Sequence, residues 1–200
     1  MDLVWFDINV YWWFGSNDEK KEKNSMKQIV KVLTAIILCI AVFFVLLSGL
    51  ETKESSGSTA MVGEMVPAFK LSDLTDASTH VTEAHFYNEP LTLLNVWAAW
   101  CGICKTEHQF LHQLKDQGIP IIGLDYRDDR SAAKHVLEQT GNPYQSVIYD
   151  PQGILALDLG VYGTPTTFLI NQQGKILHRF TGALNEEKWQ REFAGFFEEK

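Results

Sequence analysis

Cys101 and Cys104 are the residues of this chain whose type and spacing most directly allow chemistry. They lie in the run Leu94-Asn95-Val96-Trp97-Ala98-Ala99-Trp100-Cys101-Gly102-Ile103-Cys104-Lys105, where an apolar strand-type segment delivers two thiols to the start of a helix. Sulfurs at this spacing can close a small disulfide ring, and the unpaired N–H groups and positive dipole end of a helix stabilise a thiolate there. The chemistry is thiol-disulfide exchange, with Cys101 as nucleophile and Cys104 as resolving thiol. Trp100, next to Cys101, offers an apolar face to a docking peptide.

Two other uses of the pair compete with this one. Cys101, Cys104, His108 and His112 recur at helical spacing, which raises zinc. At 1.5 Å rise per residue that set spans about 16 Å, while zinc holds its ligands within about 2.3 Å, so one straight helix cannot wrap them round a metal. No metal and no other cofactor is expected, and His108 and His112 read as helix-surface residues. A purely structural bridge is disfavoured because so small a loop removes little unfolded-chain entropy.

The surrounding elements must hold this pair. Leu91 to Trp97 reads as a strand buried on both faces, followed at once by a helix from Cys101 to about Lys115. Ile119 to Leu124 is the next strand, and Asp129 to Thr140 is a helix stopped by Gly141-Asn142-Pro143. Ser146–Tyr149 and Thr167–Asn171 read as strands, and Lys175–Thr181 follows a Gln-Gln-Gly turn as the second arm of a hairpin. A last helix from Asn185 puts Trp189, Phe193, Phe196 and Phe197 on one side. Alternating strand and helix, then a hairpin and a closing helix, is the α/β pattern of the thioredoxin-like fold, a central mixed β-sheet flanked by helices.

In that fold a proline opening the strand after the long connection sits opposite the cysteines, with a cis peptide bond, and leaves the preceding backbone free to pair with an extended substrate. Thr164, Pro165 and Thr166 are therefore the expected substrate-binding residues beside Trp100, while Trp97 and Phe168 read as packing. Asp125, at the end of the strand beside the cysteines, is a candidate proton acceptor for Cys104. The run Asp125 to Asp129 also reads as a solvated loop, so Asp125 is carried as a modulating residue.

The N-terminal part differs in kind. Val32 to Leu50 carries no charge and is rich in Leu, Ile, Val and Phe, enough helix for a bilayer core of about 30 Å, so 26–50 is the expected transmembrane anchor. Lys20, Lys21, Lys23, Lys27 and Lys31 precede it and only Lys53 follows closely, which puts the N-terminus in the cytoplasm and the rest outside. A cleavable signal peptide is the competing reading. The apolar run exceeds the usual length and no small-x-small site follows it, so retention is favoured. Cys39, inside the span, receives no function.

Residues 1–25, with Trp5, Phe6, Tyr11, Trp12, Trp13 and Phe14, are an N-terminal extension, either interfacial or lying before a translation start at Met26. The polar, small residues of 51–61 form a flexible linker, and 62–200 is the catalytic domain. A net charge of −8 argues against nucleic acid as a partner. One tether and one domain suggest a monomer.

Several motifs together resemble a known family. Trp100-Cys101-Gly102-Ile103-Cys104 with Glu107-His108-Gln109, Gly123-Leu124-Asp125-Tyr126-Arg127-Asp128-Asp129, Gly141-Asn142-Pro143-Tyr144, and above all Asp158 to Ile170 with its Gly-Val-Tyr-Gly-Thr-Pro core are similar to the membrane-tethered thioredoxin-like reductases of cytochrome c maturation, the DsbE or CcmG family. The resemblance runs from about Met26 to the C-terminus. It implies an inner-membrane protein with a periplasmic catalytic domain that keeps the haem-attachment Cys-x-x-Cys-His of apocytochrome c reduced. It also implies electrons from a membrane carrier of the DsbD or CcdA type, fed by cytoplasmic thioredoxin, and work alongside the cytochrome c maturation machinery.

By this likeness Cys101 attacks the substrate disulfide, Cys104 resolves the mixed disulfide, Pro165 is the cis-proline and Glu107 is the family's acid near the active site. Two departures from the family pattern stand out. Gly102-Ile103 stands where proline or a polar residue is usual, and Thr166 stands where glutamate is usual, leaving Glu107 as the main local acid and easing formation of the Cys101 thiolate. Two alternatives stay open: a general extracytoplasmic disulfide oxidase or isomerase, and a module that binds apocytochrome without turnover.

Overall fold

The computed structural model describes residues 29–44 and 60–198. Residues 29–44 form a helix, α1, on which the large apolar side chains, from Ile29 to Phe44, are exposed. Among the described residues no helix is long and apolar enough to cross a membrane. The expected anchor at 26–50 extends past α1 at both ends, and those ends lie outside the described residues, as do the extension 1–25 and most of the linker.

Within 60–198 a small antiparallel pair comes first: β1 (Lys70–Ser72) and β2 (His80–Thr82), with a 3₁₀ turn at Glu83–Tyr87. Then follow β3 (Leu91–Trp97), α2 (Cys104–Asp116), β4 (Ile121–Tyr126), α3 (Arg130–Thr140), β5 (Ser146–Asp150), α4 (Ile154–Asp158), β6 (Thr166–Asn171), β7 (Ile176–Thr181), α5 (Glu186–Glu192) and α6 (Ala194–Glu198). The main sheet has the order β5-β4-β3-β6-β7. Its β3, β4 and β5 run parallel, which requires crossover connections, and α2 and α3 supply them. The β6–β7 hairpin is antiparallel, and Gly174 takes its positive φ of 79° in the turn.

β3 lies at the centre and is buried along all but its first residue. Its alternate residues serve two layers. Leu93 and Trp97 pack with Phe110, Leu111 and Leu114 of α2, Leu137 of α3 and Trp189 of α5. Leu94 and Val96 pack on the other side with Phe86, Leu155 and Phe168. Asn95 falls in the row that faces α2, a polar residue in an apolar line.

The thioredoxin-like architecture is as expected, with three local differences. The helix after the cysteines starts at Cys104, not Cys101, because Cys101 donates its N–H to Ala98 O at 3.1 Å in a preceding turn and Gly102 is a poor helix former. The C-terminal helix divides at Phe193, which leaves helical geometry while its side chain is fully buried. The pair β1–β2 and the 3₁₀ turn come from a stretch too short and mixed to carry a periodic signal.

Candidate active site

Cys101 and Cys104 are joined as a disulfide with Cα atoms 5.3 Å apart, both side chains nearly buried. α2 has no side-chain cap at its N-terminus; instead the Cys104 N–H donates to Cys101 Sγ at 3.1 Å. The sulfur thus takes the place of a capping oxygen, and in the reduced protein the same N–H and the dipole of α2 favour negative charge on Cys101.

The turn carrying Cys101 is held from the β4–α3 loop. Ala99 N–H donates to Asp128 Oδ2, and Trp100 Nε1 donates to Arg127 O at 3.1 Å. Arg127 reaches that position with a left-handed φ of 49°. The Tyr149 hydroxyl in turn donates to Asp128 O at 3.2 Å. Trp100 keeps 59 % of its surface exposed, and Ile103 keeps 60 %. Both therefore present apolar surface at the edge of a nearly buried disulfide.

The strand register brings the proline to the same place. Val96 at the end of β3 lies opposite Thr166 at the start of β6, so the residues that follow β3 and those that precede β6 meet at one edge of the sheet. The Thr164–Pro165 bond is cis, as expected, and Pro165 O accepts from Gly182 N at 2.9 Å. Thr164 is half-buried, and Tyr162, two residues earlier, is 84 % exposed. Thr166 departs from the expectation of a substrate-contacting side chain: it is fully buried and its hydroxyl donates to Gly163 O at 2.9 Å, which fixes the turn rather than facing outward.

Behind the disulfide lies a polar network inside the apolar layer. Glu107 is fully buried; Oε1 accepts from Asn95 Nδ2 at 2.9 Å and Oε2 from Leu184 N at 2.8 Å. Asn95 also donates to Thr167 Oγ1 at 3.1 Å and accepts the Tyr144 hydroxyl at 2.9 Å. Burial pushes the Glu107 carboxyl up to about 7, against its two hydrogen bonds and the Lys188 cation, which favour the charged form. Tyr144 is pushed well above its ordinary value by burial and by the carboxyls of Glu107 and Asp125.

Asp125 is also fully buried, on the strand position opposite Trp97, and not in a solvated loop. Burial pushes its carboxyl up to about 8, and the neighbouring Asp128 carboxyl acts in the same direction. The solvated-loop reading fits Asp129 instead, whose carboxylate caps α3 by accepting from Ser131 N and Ala132 N. Two carboxyls in this interior thus change charge near neutral pH, within the layer that also holds Cys104.

His108 and His112, expected on the helix surface, instead tie α2 to the end of α3: Nε2 of His108 lies 2.9 Å from Gly141 O, and Nε2 of His112 lies 3.1 Å from Thr140 O. Among the described residues no group of three or more His, Cys, Asp or Glu side chains could hold a metal. Asn95 and Tyr144 carry no local motif that marks them as site residues, and Asp128, which with Asp125 is a candidate proton acceptor from sequence, instead holds the Cys101 turn through Ala99 N–H. An asparagine inside the apolar strand Leu91–Trp97 was the available signal for the network, because a buried amide requires partners.

The chain is similar to known proteins over most of its length. The profile of the Redoxin family matches residues 61–194. A thiol:disulfide interchange protein DsbE from Yersinia pestis is 40 % identical over 178 residues, covering 86 % of this chain and 93 % of its own. One from Vibrio cholerae is 43 % identical over 173 residues, with 82 % and 94 % covered. Among solved structures, a DsbE-type protein from Chlorobium tepidum superposes with a TM-score of 0.54 at 26 % identity, over 65 % of this chain and 92 % of that one. A secreted thiol-disulfide isomerase from Corynebacterium glutamicum, at 23 % identity and a TM-score of 0.58 over 67 % and 86 % of the two chains, shares the fold. With a bridged Cys-x-x-Cys at the head of α2 and relatives matched over most of their length, the chain belongs to the DsbE thiol:disulfide interchange proteins of the Redoxin family and is a thiol-disulfide oxidoreductase.

Proposed function

We propose that this oxidoreductase works as a membrane-anchored periplasmic reductase whose substrate is the oxidised haem-attachment Cys-x-x-Cys-His of apocytochrome c. The observation that carries the reading is the disulfide at the head of α2 beside cis-Pro165, rimmed by the exposed apolar side chains of Trp100 and Ile103. An extended peptide that lays its backbone along Thr164 would bring its own disulfide against Cys101. The Cys101 thiolate attacks one substrate sulfur and releases the other; Cys104 then attacks Cys101 and frees the reduced substrate. Afterwards the pair is a disulfide and needs two electrons, for which a membrane carrier of the DsbD or CcdA type is the proposed donor.

The anchor is residues 26–50, of which α1 forms the described part, with its large apolar side chains exposed. The N-terminus is assigned to the cytoplasm and the domain 62–200 to the periplasm, as a monomer. The DsbE relatives support the family role; the cytochrome substrate rests on the motif resemblance.

The test is the equilibrium potential of the Cys101–Cys104 pair in the full chain, in detergent, against glutathione and dithiothreitol buffers. A value near thioredoxin's, about −270 mV, is expected; one near that of DsbA, about −120 mV, would reverse the direction and make the protein an oxidant. In parallel, Cys104→Ser should trap a mixed disulfide with an oxidised Cys-x-x-Cys-His peptide, and absence of the trapped species would remove the peptide as substrate.

A further inference from the structure

A cavity of about 220 Å³ lies against Cys104, on the side of α2 that faces α3. Its walls include Trp97, Tyr144, Lys105, His108 and Thr140. Resolution of a mixed disulfide requires Cys104 as a thiolate, and Cys104 is nearly buried, so its proton needs an acceptor within reach. Cys104 and His108 stand one helical turn apart on α2, which puts them on the same face, and both line this cavity.

Each of the other nearby groups that could take a proton is either held in hydrogen bonds or, like the buried carboxyl of Asp125, outside the cavity. Both Glu107 oxygens accept hydrogen bonds, from Asn95 and Leu184, and neither Glu107 nor Asp125 lines the cavity. The Tyr144 hydroxyl donates to Asn95 Oδ1, and the Lys105 ammonium has donors only. α3 contributes Val136, Gln139 and Thr140 to the wall, none of them charged. His112 meets His108 edge-on, with ring centroids 5.1 Å apart, and its charge opposes protonation of His108.

The hydrogen bonds of His108 fix which nitrogen is basic. Nε2 lies 2.9 Å from Gly141 O and 2.9 Å from Thr140 Oγ1. Gly141 O can only accept, and the Thr140 hydroxyl already gives its hydrogen to Val136 O at 2.8 Å. Nε2 therefore carries the hydrogen, and in the neutral ring Nδ1 holds the free lone pair. Burial holds His108 below the ordinary imidazole value, so the neutral form prevails at neutral pH.

We propose that His108 is the proton acceptor for Cys104 in the resolving step, working through this cavity. In the mixed disulfide between Cys101 and substrate, the Cys104 thiol gives its proton to His108 Nδ1, directly or through cavity solvent. The thiolate attacks Cys101 Sγ, the Cys101–Cys104 bond forms, and the bond from Cys101 to the substrate sulfur breaks. The substrate sulfur leaves with the electron pair and takes a proton from solvent, while the imidazolium returns its proton to solvent. The inference rests on the thiol-disulfide activity alone and holds for either direction of net electron flow.

The test uses the full chain with Cys101 carrying a 5-thio-2-nitrobenzoate group, whose release by Cys104 is followed by absorbance from pH 5 to 9. His108→Gln keeps a donor for Gly141 O but has no base. Release at pH 7 is expected to slow by about 100-fold, within the range of general-base contributions, while alkylation of Cys101 in the Cys104→Ser background keeps its rate. Added imidazole should restore release in His108→Ala. Wild-type release rates in His108→Gln across the range overturn the proposal. Should both variants fail to fold, the wild-type profile decides: an inflection below about 6.5 supports it, and a rate that climbs without inflection overturns it.

Discussion

The surface in front of the disulfide and the interior behind it are built from opposite kinds of residue. In front, the exposed side chains are apolar: Trp100, Ile103 and Tyr162. Behind, in the layer under α2, the buried residues include Asn95, Glu107 and Asp125, all of them polar. The usual arrangement of a globular protein is locally inverted on both sides. An exposed apolar rim is suited to losing water to a partner, so it bears on which substrates dock. Buried carboxyls with raised pKa values bear on the charge at the sulfurs, and hence on how the pair titrates and exchanges. Changes behind the disulfide should therefore move stability and pH dependence, and changes in front should move substrate affinity.

The largest effect is expected behind, where the network is packed as well as hydrogen-bonded. Trp97 and Tyr144 stack with ring centroids 5.8 Å apart, and they do so over Gly123 of β4. A Cβ at Gly123 would stand 2.9 Å from Tyr144 Cγ and 3.1 Å from Trp97 Nε1. Both rings are buried, and although both also border the cavity beside Cys104, the closest approach is to Tyr144 Cγ, the base of its ring, which cannot swing clear without moving the rest of the side chain. Gly123→Val should cost about 3 kcal/mol or more of unfolding free energy, at the upper end of overpacking penalties, and a lower urea midpoint would report it. An unchanged midpoint would mean that this interior is looser than its distances indicate.

A second prediction concerns charge. Glu107 goes from an ordinary value of 4.5 to about 7 on folding. The folded state therefore binds more protons than the unfolded chain between those values, and stability falls as pH rises through that window. Glu107→Gln should flatten this fall. Asp125 is shifted in the same sense, from 3.8 to about 8, so part of the slope remains in the variant. The amide also keeps only one acceptor oxygen for two donors, Asn95 Nδ2 and Leu184 N, and turns its NH2 toward the other, which should cost about 1–3 kcal/mol. Urea midpoints from pH 4.5 to 8 for both proteins measure the difference; equal slopes would remove Glu107 from the titrating interior.

The two sides also differed in how much of them could be read from sequence. The front was legible: the spacing of Cys101 and Cys104, Trp100 beside them and Thr164-Pro165 are local patterns with local meaning. The sheet was legible for the same reason, since Leu91–Trp97 and Ile119–Leu124 are short apolar runs bounded by turns, although the second strand runs on to Tyr126. At the back Glu107 and Asp125 could be named but the network could not, because its partners are far apart in the chain: Asn95 meets Tyr144 and Thr167, and Glu107 meets Leu184. Asp125 shows the limit most clearly. In sequence it opens an acidic run that reads as solvated, and only the pairing of β4 with both β3 and β5 buries it while Asp129 stays at the surface. Thr166 is hidden from sequence for a related reason, since its place next to the proline carries no information on which way its hydroxyl turns.

The smallest change in stability, and the sharpest contrast with Gly123→Val, is expected at Trp100. Its ring is mostly exposed and its interior ties are one hydrogen bond to Arg127 O and a tilted contact with Tyr126 at 6.5 Å. Trp100→Ala should shift the unfolding free energy by no more than about 1 kcal/mol, the net worth of an ordinary hydrogen bond. Docking is different: an aromatic side chain that is covered by substrate loses a large apolar contact when truncated, and such anchors are commonly worth about 2 kcal/mol or more. The KM for an oxidised Cys-x-x-Cys-His peptide should then rise by tenfold or more with kcat little changed, while reaction with a small disulfide such as oxidised dithiothreitol, too small to cover the rim, stays near the wild-type rate. If peptide and small disulfide were slowed equally, Trp100 would be acting through the Cys101 turn that it borders, and the division between a docking front and a titrating back would have to be redrawn.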